Sequence, residues 1–350
     1  MEKRIKIGSR YVGEGEKTFI VAEVSANHLQ DYDRAVKIIR AAGEAGADAV
    51  KLQTYMPDTI TLDCDNDYFQ ITQGTIWDGT TLHKLYETAY TPWEWQPKLQ
   101  KLAGELGMEC FSSPFDESAV AFMQEMEMPA YKVASFEIND IPLIRKIARI
   151  GKPVILATGI AYLEDIERAV NVCKEEGNHQ IILLKCTSTY PSPYEDMNLK
   201  VIPNMAEVFD CITGLSDHSM GTAAAVGSVA LGAKMVEKHL TLSRQDGGPD
   251  AAFSMEPAEF KQMVEDIRIV EKAVGKVTYR LTAKQEKSRE DGRSLFIVRD
   301  MKAGEAFSPE NVRSVRPAFG MHTMHYEEIL GKKAKTDLLK GTPLQWEYIG

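Results

Sequence analysis

Eight short, continuously apolar runs recur between Phe19 and His239, and a stretch with helical spacing follows each of them. This alternation constrains the fold more than any other feature. The runs are Phe19–Glu23, Ala49–Gln53, Glu109–Ser112, Ala130–Ala134, Pro153–Ala157, Ile181–Cys186, Ile212–Ser216 and Met235–His239. Runs of this length and texture suit strands buried on both faces of a parallel sheet. The helical stretches are Asp33–Ala45, Trp93–Leu106, Glu117–Met126, Pro142–Ile150, Glu164–Glu175, Asn198–Phe209, Thr222–Leu231 and Pro257–Val274. Eight strand–helix units in a row predict an α/β fold, a closed (β/α)8 TIM barrel. An open doubly wound sheet is the competing arrangement. No GxGxxG follows the first run, and GEGEKT at residues 13–18 lacks phosphate-loop spacing.

A barrel of this kind takes roughly 250 residues, so a chain of 350 has room for a second unit. The predicted organisation is a barrel over residues 1–275, a polar, charged linker over 276–292 and a small β-rich domain over 293–350. In that last part DMKAGE at residue 300 and DLLKGT at residue 337 echo each other, which predicts two similar turns. One connection inside the barrel is long, from Thr54 to Pro92, and carries Tyr55, Tyr68, Phe69, Trp77, Tyr86 and Tyr90. Loops of this length are usually functional or lid-like, and after a barrel strand they lie on the active-site face. The plainer reading is an insertion with its own small aromatic core.

The net charge of −10 argues against nucleic acid as a partner. The small apolar stretch Ala223 to Ala233 is too short to span a bilayer, and the N-terminus has no signal-like apolar run. Neither a nucleic-acid nor a membrane partner is expected. The five scattered cysteines form no CxxC and no disulfide framework, which suits a reducing cytoplasm.

Chemistry gathers where strands end, the active-site face of a barrel. The first strand ends in Glu23, with Ser25, Asn27 and His28 beyond it. Lys51 and Gln53 interrupt the second. Ser112 and Ser113 end the third; Lys132, Ser135 and Glu137 mark the fourth. Thr158 and Gly159 follow the fifth, and Lys185, Thr187, Ser188 and Tyr190 mark the sixth. Hydroxyls with two or three lysines make an anion cradle. His218 and His239 stand at the ends of the last two strands, where two imidazoles can hold a divalent ion and leave positions for water and substrate. Asp250, in GGPDAAF, is by itself no more than a turn former.

In this order, AEVSANH, DAVKLQT, FSSPF, AYKVASFE, ATG, KCTSTYP, PYEDMNL, GLSDHS and VEKH resemble the sialic acid synthase family along the whole chain. The tail, with SVRP at residues 314–317, is similar to that family's C-terminal antifreeze-like (SAF, β-clip) domain. Within the family, GTIWDGTTLHKLYETAYTPWEW resembles the pseudaminate-forming branch. The resemblance implies a metal-dependent condensation of phosphoenolpyruvate with an N-acetylated hexose, in that branch 2,4-diacetamido-2,4,6-trideoxy-altrose. It implies that His218 and His239 hold manganese or magnesium, and that Lys51, Ser113, Lys132, Ser135 and Ser216 contact phosphoenolpyruvate. Glu23 and Glu137 are implied in proton handling. Asn27, Ser188, Tyr190 and Asp250 fall on the sugar side. Arg316 matches an arginine delivered into a partner subunit's site, which implies a domain-swapped homodimer.

The chain departs from the sialic acid enzymes at Ala157, where a phosphate-contacting serine is common; Thr158 or a backbone N–H is the expected substitute. It departs again at Ser188, where they have a sugar-binding asparagine, and this weakens an N-acetylmannosamine reading. N-acetylneuraminate and legionaminate synthesis stay open. From another enzyme class, a Schiff-base aldolase or lyase would use Lys132 or Lys185. A non-enzymatic carbohydrate-binding or ice-binding protein is the third reading.

Overall fold

The computed structural model describes residues 3–350, which divide after Gly275 into two compact units. The first contains a closed barrel of eight parallel strands: β3 (Phe19–Glu23), β4 (Ala49–Thr54), β5 (Glu109–Pro114), β6 (Tyr131–Val133), β7 (Val154–Ala157), β8 (Ile181–Cys186), β9 (Ile212–Asp217) and β10 (Met235–His239). They pair in chain order, and β10 closes the ring on β3 with His239 opposite Glu23. All eight expected strands are present, with ends within two residues of the expected ones. A hairpin of β1 (Arg4–Ile7) and β2 (Arg10–Gly13) precedes them. Sequence reasoning missed it because four-residue strands offer too little periodicity.

The pleat sorts each strand into two layers. Phe19, Val21, Ala49, Phe111, Ala130, Ile155, Ile182, Leu184, Ile212 and Met235 point inward, and Ile5, Ile7 and Val12 of the hairpin join them to close the barrel floor. Ile20, Ala22, Val50, Leu52, Val133, Leu156, Leu183 and Val236 point outward and pack on the helices. The helix Tyr32–Ala45 shows how these begin and end. Asp31 accepts from the Asp33 and Arg34 backbone N–H groups at 2.8 and 3.2 Å, and Gly46 ends the helix in the left-handed region at φ 89°.

One charged pair is sunk in the outward layer. Lys238 Nζ lies 2.7 Å from Asp217 Oδ2 and donates to the Ser219 carbonyl, while Asp217 Oδ1 accepts from Ser219 N and Oγ. Both side chains are essentially inaccessible to water. The pair fixes the ends of β9 and β10 side by side.

The long connection contains helices Pro57–Ile60 and Leu82–Ala89 and a bridge between Gln70 and Thr81. It does not stand apart as a decorated insertion. Trp77 Nε1 donates to the Pro249 carbonyl at 2.8 Å, which ties the connection to the loop after β10. Among the described residues, no helix is long and apolar enough to cross a membrane.

The second unit runs from Lys276 to Gly350. Its first residues, through Asp291, are exposed and include a short helix, Ala283–Ser288. β11 (Ser294–Ile297) and β12 (Val312–Val315) pair antiparallel. Leu295, Ile297, Met301, Phe307, Val312, Met321, Ile329, Leu338 and Leu344 form its core. The two echoing turns cap each other. Asp337 Oδ1 accepts from Ala303 N at 2.9 Å, and Asp300 Oδ1 accepts from Lys340 N at 2.8 Å. Met301 and Leu338 exchange both backbone hydrogen bonds. Gly304 and Gly341 occupy equivalent places at φ 84° and 90°, conformations that a Cβ would penalise. The repeat in the sequence is therefore a local two-fold in space.

Removing one partner of a buried ion pair leaves an uncompensated charge. Lys238→Met is expected to lower unfolding stability by about 3–5 kcal/mol, read as a reduced urea midpoint with unchanged slope. A variant within 1 kcal/mol of the parent would mean that Asp217 finds water or a proton instead.

Candidate active site

Inward positions change character at the top of the barrel. Above the apolar layer stand Glu23, Lys51, Gln53, Ser113, Lys132, Ser216, Glu237 and His239, each two residues beyond an inward residue on its strand, with His218 just past β9. The same alternation that fills the core therefore aims the polar set into the mouth.

The set is organised around Glu237. Its Oε1 lies 3.1 Å from Lys51 Nζ and 3.1 Å from Lys132 Nζ, and it accepts from Ser216 Oγ at 3.2 Å. Lys51 Nζ is also 3.0 Å from Glu23 Oε2 and 3.3 Å from Ser113 Oγ. All these side chains are at most 5% exposed or fully buried. Burial alone would raise Glu237, but the Lys132 and Lys51 ammoniums outweigh it and hold the carboxyl well below the usual range. Burial pushes Glu23 up to about 7 against the pull of Lys51. Burial would lower Lys51, yet Glu23 and Glu237 together raise it; Lys132, with less carboxylate around it, is lowered by burial.

A second network joins the sugar-side residues. Gln53 Nε2 donates to Glu23 Oε1 at 3.1 Å and to Ser25 Oγ at 3.0 Å, and Ser25 Oγ donates to Asp250 Oδ2. Asp250, a bare turn former by sequence, is thus tied to the first strand. Burial raises its carboxyl, opposed by the Ser25 hydrogen bond.

His218 and His239 face each other with ring centroids 5.1 Å apart. His239 Nδ1 is buried without a hydrogen-bond partner. Burial, with the neighbouring His218, keeps this imidazole neutral by holding it well below the ordinary histidine range. Two facing imidazoles, one with an orphaned nitrogen, fit the anchoring side of an open divalent-ion site. Among the described residues no three His, Cys, Asp or Glu side chains group into a fuller cage. Cys186 Sγ lies 3.7 Å from His218 Nδ1 and 3.7 Å from Ser188 Oγ.

An aromatic wall covers the histidines. Tyr190 sits 4.7 Å from His218 and 5.1 Å from Phe253, Phe253 sits 5.0 Å from His239, and Trp77 of the long connection sits 5.3 Å from Tyr190. Glu137 lies on the turn Ser135–Glu137 after β6. Burial pushes its carboxyl up to about 7, and its Oε2 is buried without a partner. The Ser135 hydroxyl accepts from Gly159 N at 3.1 Å. A Cβ at Gly159 would fall 1.9 Å from Ser188 Oγ and 2.7 Å from Ser135 Oγ, so glycine lets β7's end approach both hydroxyls.

Two expectations change. Thr158 does not stand in for the missing serine at Ala157: its hydroxyl donates to the Leu184 carbonyl at 3.2 Å, and it lines a cavity outside the barrel with Lys185. Lys185 alternates with the inward Leu184 and Cys186 and is turned outward, so it belongs neither to the anion cradle nor to an imine site. Asn27 uses its amide hydrogens on the Leu240 carbonyl and Ser254 Oγ at 3.1 and 2.9 Å, clasping two loops, while its Oδ1 is buried without a hydrogen-bond partner. Arg316 follows β12 on the second unit and is exposed. Sequence reasoning gave Glu237, Cys186 and Phe253 no role, and placed Gln53 and Ser25 among the strand-end residues without a specific one. The signal for Glu237 and Gln53 was alternation with His239 and Lys51.

The NeuB family profile matches residues 38–279, and the SAF domain profile matches residues 292–349. The chain is 47% identical over 330 residues to the pseudaminic acid synthase of Campylobacter jejuni serotype O:2, covering 94% of this chain and 96% of that one. It is 45% identical to the pseudaminic acid synthase of Helicobacter pylori, covering 94% and 97%. Among solved structures, the N-acetylneuraminic acid synthetase of Leptospira borgpetersenii, in complex with citrate, is similar with a TM-score of 0.73 at 29% identity. That match covers 82% of this chain and 95% of that one.

Glu137 gives a test of stored electrostatic cost. Its folded-state value of about 7 exceeds the ordinary 4.5, so its contribution is intact below 4.5 and is lost as pH rises through 7. Glu137→Gln imitates the protonated carboxyl. The variant is expected to lose turnover and to melt higher than the parent at pH 8, with the gain shrinking toward pH 4.5. Equal melting temperatures at both pH values would show that the carboxylate is not strained.

Proposed function

The chain belongs to the NeuB family, and we propose from that premise that it condenses phosphoenolpyruvate with 2,4-diacetamido-2,4,6-trideoxy-L-altrose to give pseudaminate and phosphate. The observation that carries the reading is the buried pair of lysines in the barrel mouth, with Ser113 on Lys51, Ser216 on the Glu237 that both lysines share, and Ser135 on the turn after the strand of Lys132. These groups suit an anion with a phosphate at one end and a carboxylate at the other. The likeness along nearly the whole chain to two pseudaminic acid synthases supports the choice of sugar.

Lys51, Lys132 and the three serines hold phosphoenolpyruvate so that its C3 faces the sugar aldehyde, and this positioning removes much of the barrier. C3 bonds to the aldehyde carbon, whose oxygen takes up a proton to become a hydroxyl, and positive charge develops at C2. Water adds to C2 and loses a proton to a carboxylate, and phosphate departs with cleavage of the C2–O bond. Glu23 and Glu137, both near 7, are suited to that exchange at neutral pH. Gln53, Ser25, Asp250 and Tyr190 orient the sugar's polar edge. Tyr190, Phe253 and Trp77 offer an apolar surface to its 6-deoxy end. A manganese or magnesium ion held by His218 and His239 would supply Lewis acidity toward the sugar carbonyl.

Arg316, exposed on the second unit, completes the sugar side of another subunit's barrel in a domain-swapped homodimer. The five free cysteines suit a reducing cytoplasm.

Phosphate release from phosphoenolpyruvate with manganese is expected with the altrose and at least tenfold lower in kcat/KM with N-acetylmannosamine or the legionaminate precursor, with pseudaminate identified by mass. Faster turnover of either competitor would overturn the sugar assignment, and full activity after chelation would remove the metal. Arg316→Ala is expected to be inactive alone and to regain activity when mixed with His239→Ala. Failure of that mixture would argue against a shared site.

A further inference from the structure

Cys186 is an inward side chain of the upper barrel layer to which the proposed chemistry gives no work. It is buried, its Sγ lies 3.7 Å from His218 Nδ1, and the Ser188 hydroxyl stands 3.7 Å away on another side. A Cβ placed on Gly159 would reach the same sulfur at 3.1 Å, so the thiol is packed into a fixed position. At 3.7 Å, within the reach of a sulfur hydrogen bond, Sγ partners the Nδ1 of the His218 ring.

An imidazole that binds an ion through one nitrogen must carry a proton on the other, and the partner of that N–H fixes both the tautomer and the ring plane. His239 has no such partner, because its Nδ1 is buried and unpaired. We propose that Cys186 is a positioning residue for His218: its sulfur accepts from Nδ1–H and so presents Nε2, in a fixed plane, to a divalent ion shared with His239. This inference rests on the reading that His218 and His239 hold the metal. The two histidines then play unequal parts. His218 is preset by sulfur, whereas His239 is held in place by the rings of Phe253 and His218.

The test is manganese affinity of metal-stripped full-length protein, measured by calorimetry for the parent, Cys186→Ala, Cys186→Ser and His218→Ala. Loss of the group that accepts from a metal-binding imidazole typically weakens metal binding about 10–100-fold. Cys186→Ala is expected to fall in that range, and Cys186→Ser, which keeps an acceptor, to recover most of the affinity. At saturating manganese the KM for phosphoenolpyruvate should stay near the parent value in both cysteine variants. Parental affinity in Cys186→Ala together with lost affinity in His218→Ala would overturn the positioning role and leave the metal reading standing. Parental affinity in His218→Ala would overturn the metal reading itself. Cobalt substitution separates a partner from a ligand. The proposal expects no sulfur-to-cobalt charge-transfer band in the parent, and such a band would overturn it by showing direct ligation.

Discussion

Two ammoniums and two carboxylates buried within about one hydrogen-bond length of each other are the constraint on which the barrel mouth depends. A lone buried charge costs several kcal/mol, and mutual attraction offsets that cost only where geometry and extra hydrogen bonds are both good. Glu237 meets this condition by lying between Lys51 and Lys132 with Ser216 behind it. Glu23 meets it less well and is left near 7. The four formal charges sum to zero, so an anionic ligand entering this group brings unmatched negative charge. A divalent ion or a proton on Glu23 would restore the balance, which couples anion binding to both.

The division of labour follows from strand geometry. Inward residues low in the barrel are apolar and fix its radius, while those one pleat higher carry the chemistry. Outward residues at the same height do structural work, as the Lys238–Asp217 pair does beside Glu237 and His218. Neighbours in sequence therefore have opposite duties, and Lys185 beside Cys186 is a second example.

The barrel was legible because eight apolar runs left few alternatives, and their limits came out nearly right. The site was legible as a collection of strand-end residues but not as a network. Alternation would have separated Lys185 from Lys51 and Lys132, yet a strand's inward parity is set by closure of the whole ring, which no single run reveals. Thr158 was misjudged for the same reason: the residue after an inward Ala157 must turn outward. The clasp that Asn27 makes was not legible because the loop it holds, around Ser254, is over two hundred residues away in sequence. Glu237 was overlooked just ahead of two more conspicuous residues, Lys238 and His239.

The paired turns of the second unit have a bearing on how that unit forms. Each turn supplies the acceptor that the other's backbone requires, across a separation of thirty-four or more residues. Neither half can therefore be satisfied before the other arrives, and the unit is expected to assemble in one cooperative step. Such a body has no partly ordered state. Arg316, just past β12, is set in place in the same step as the paired turns.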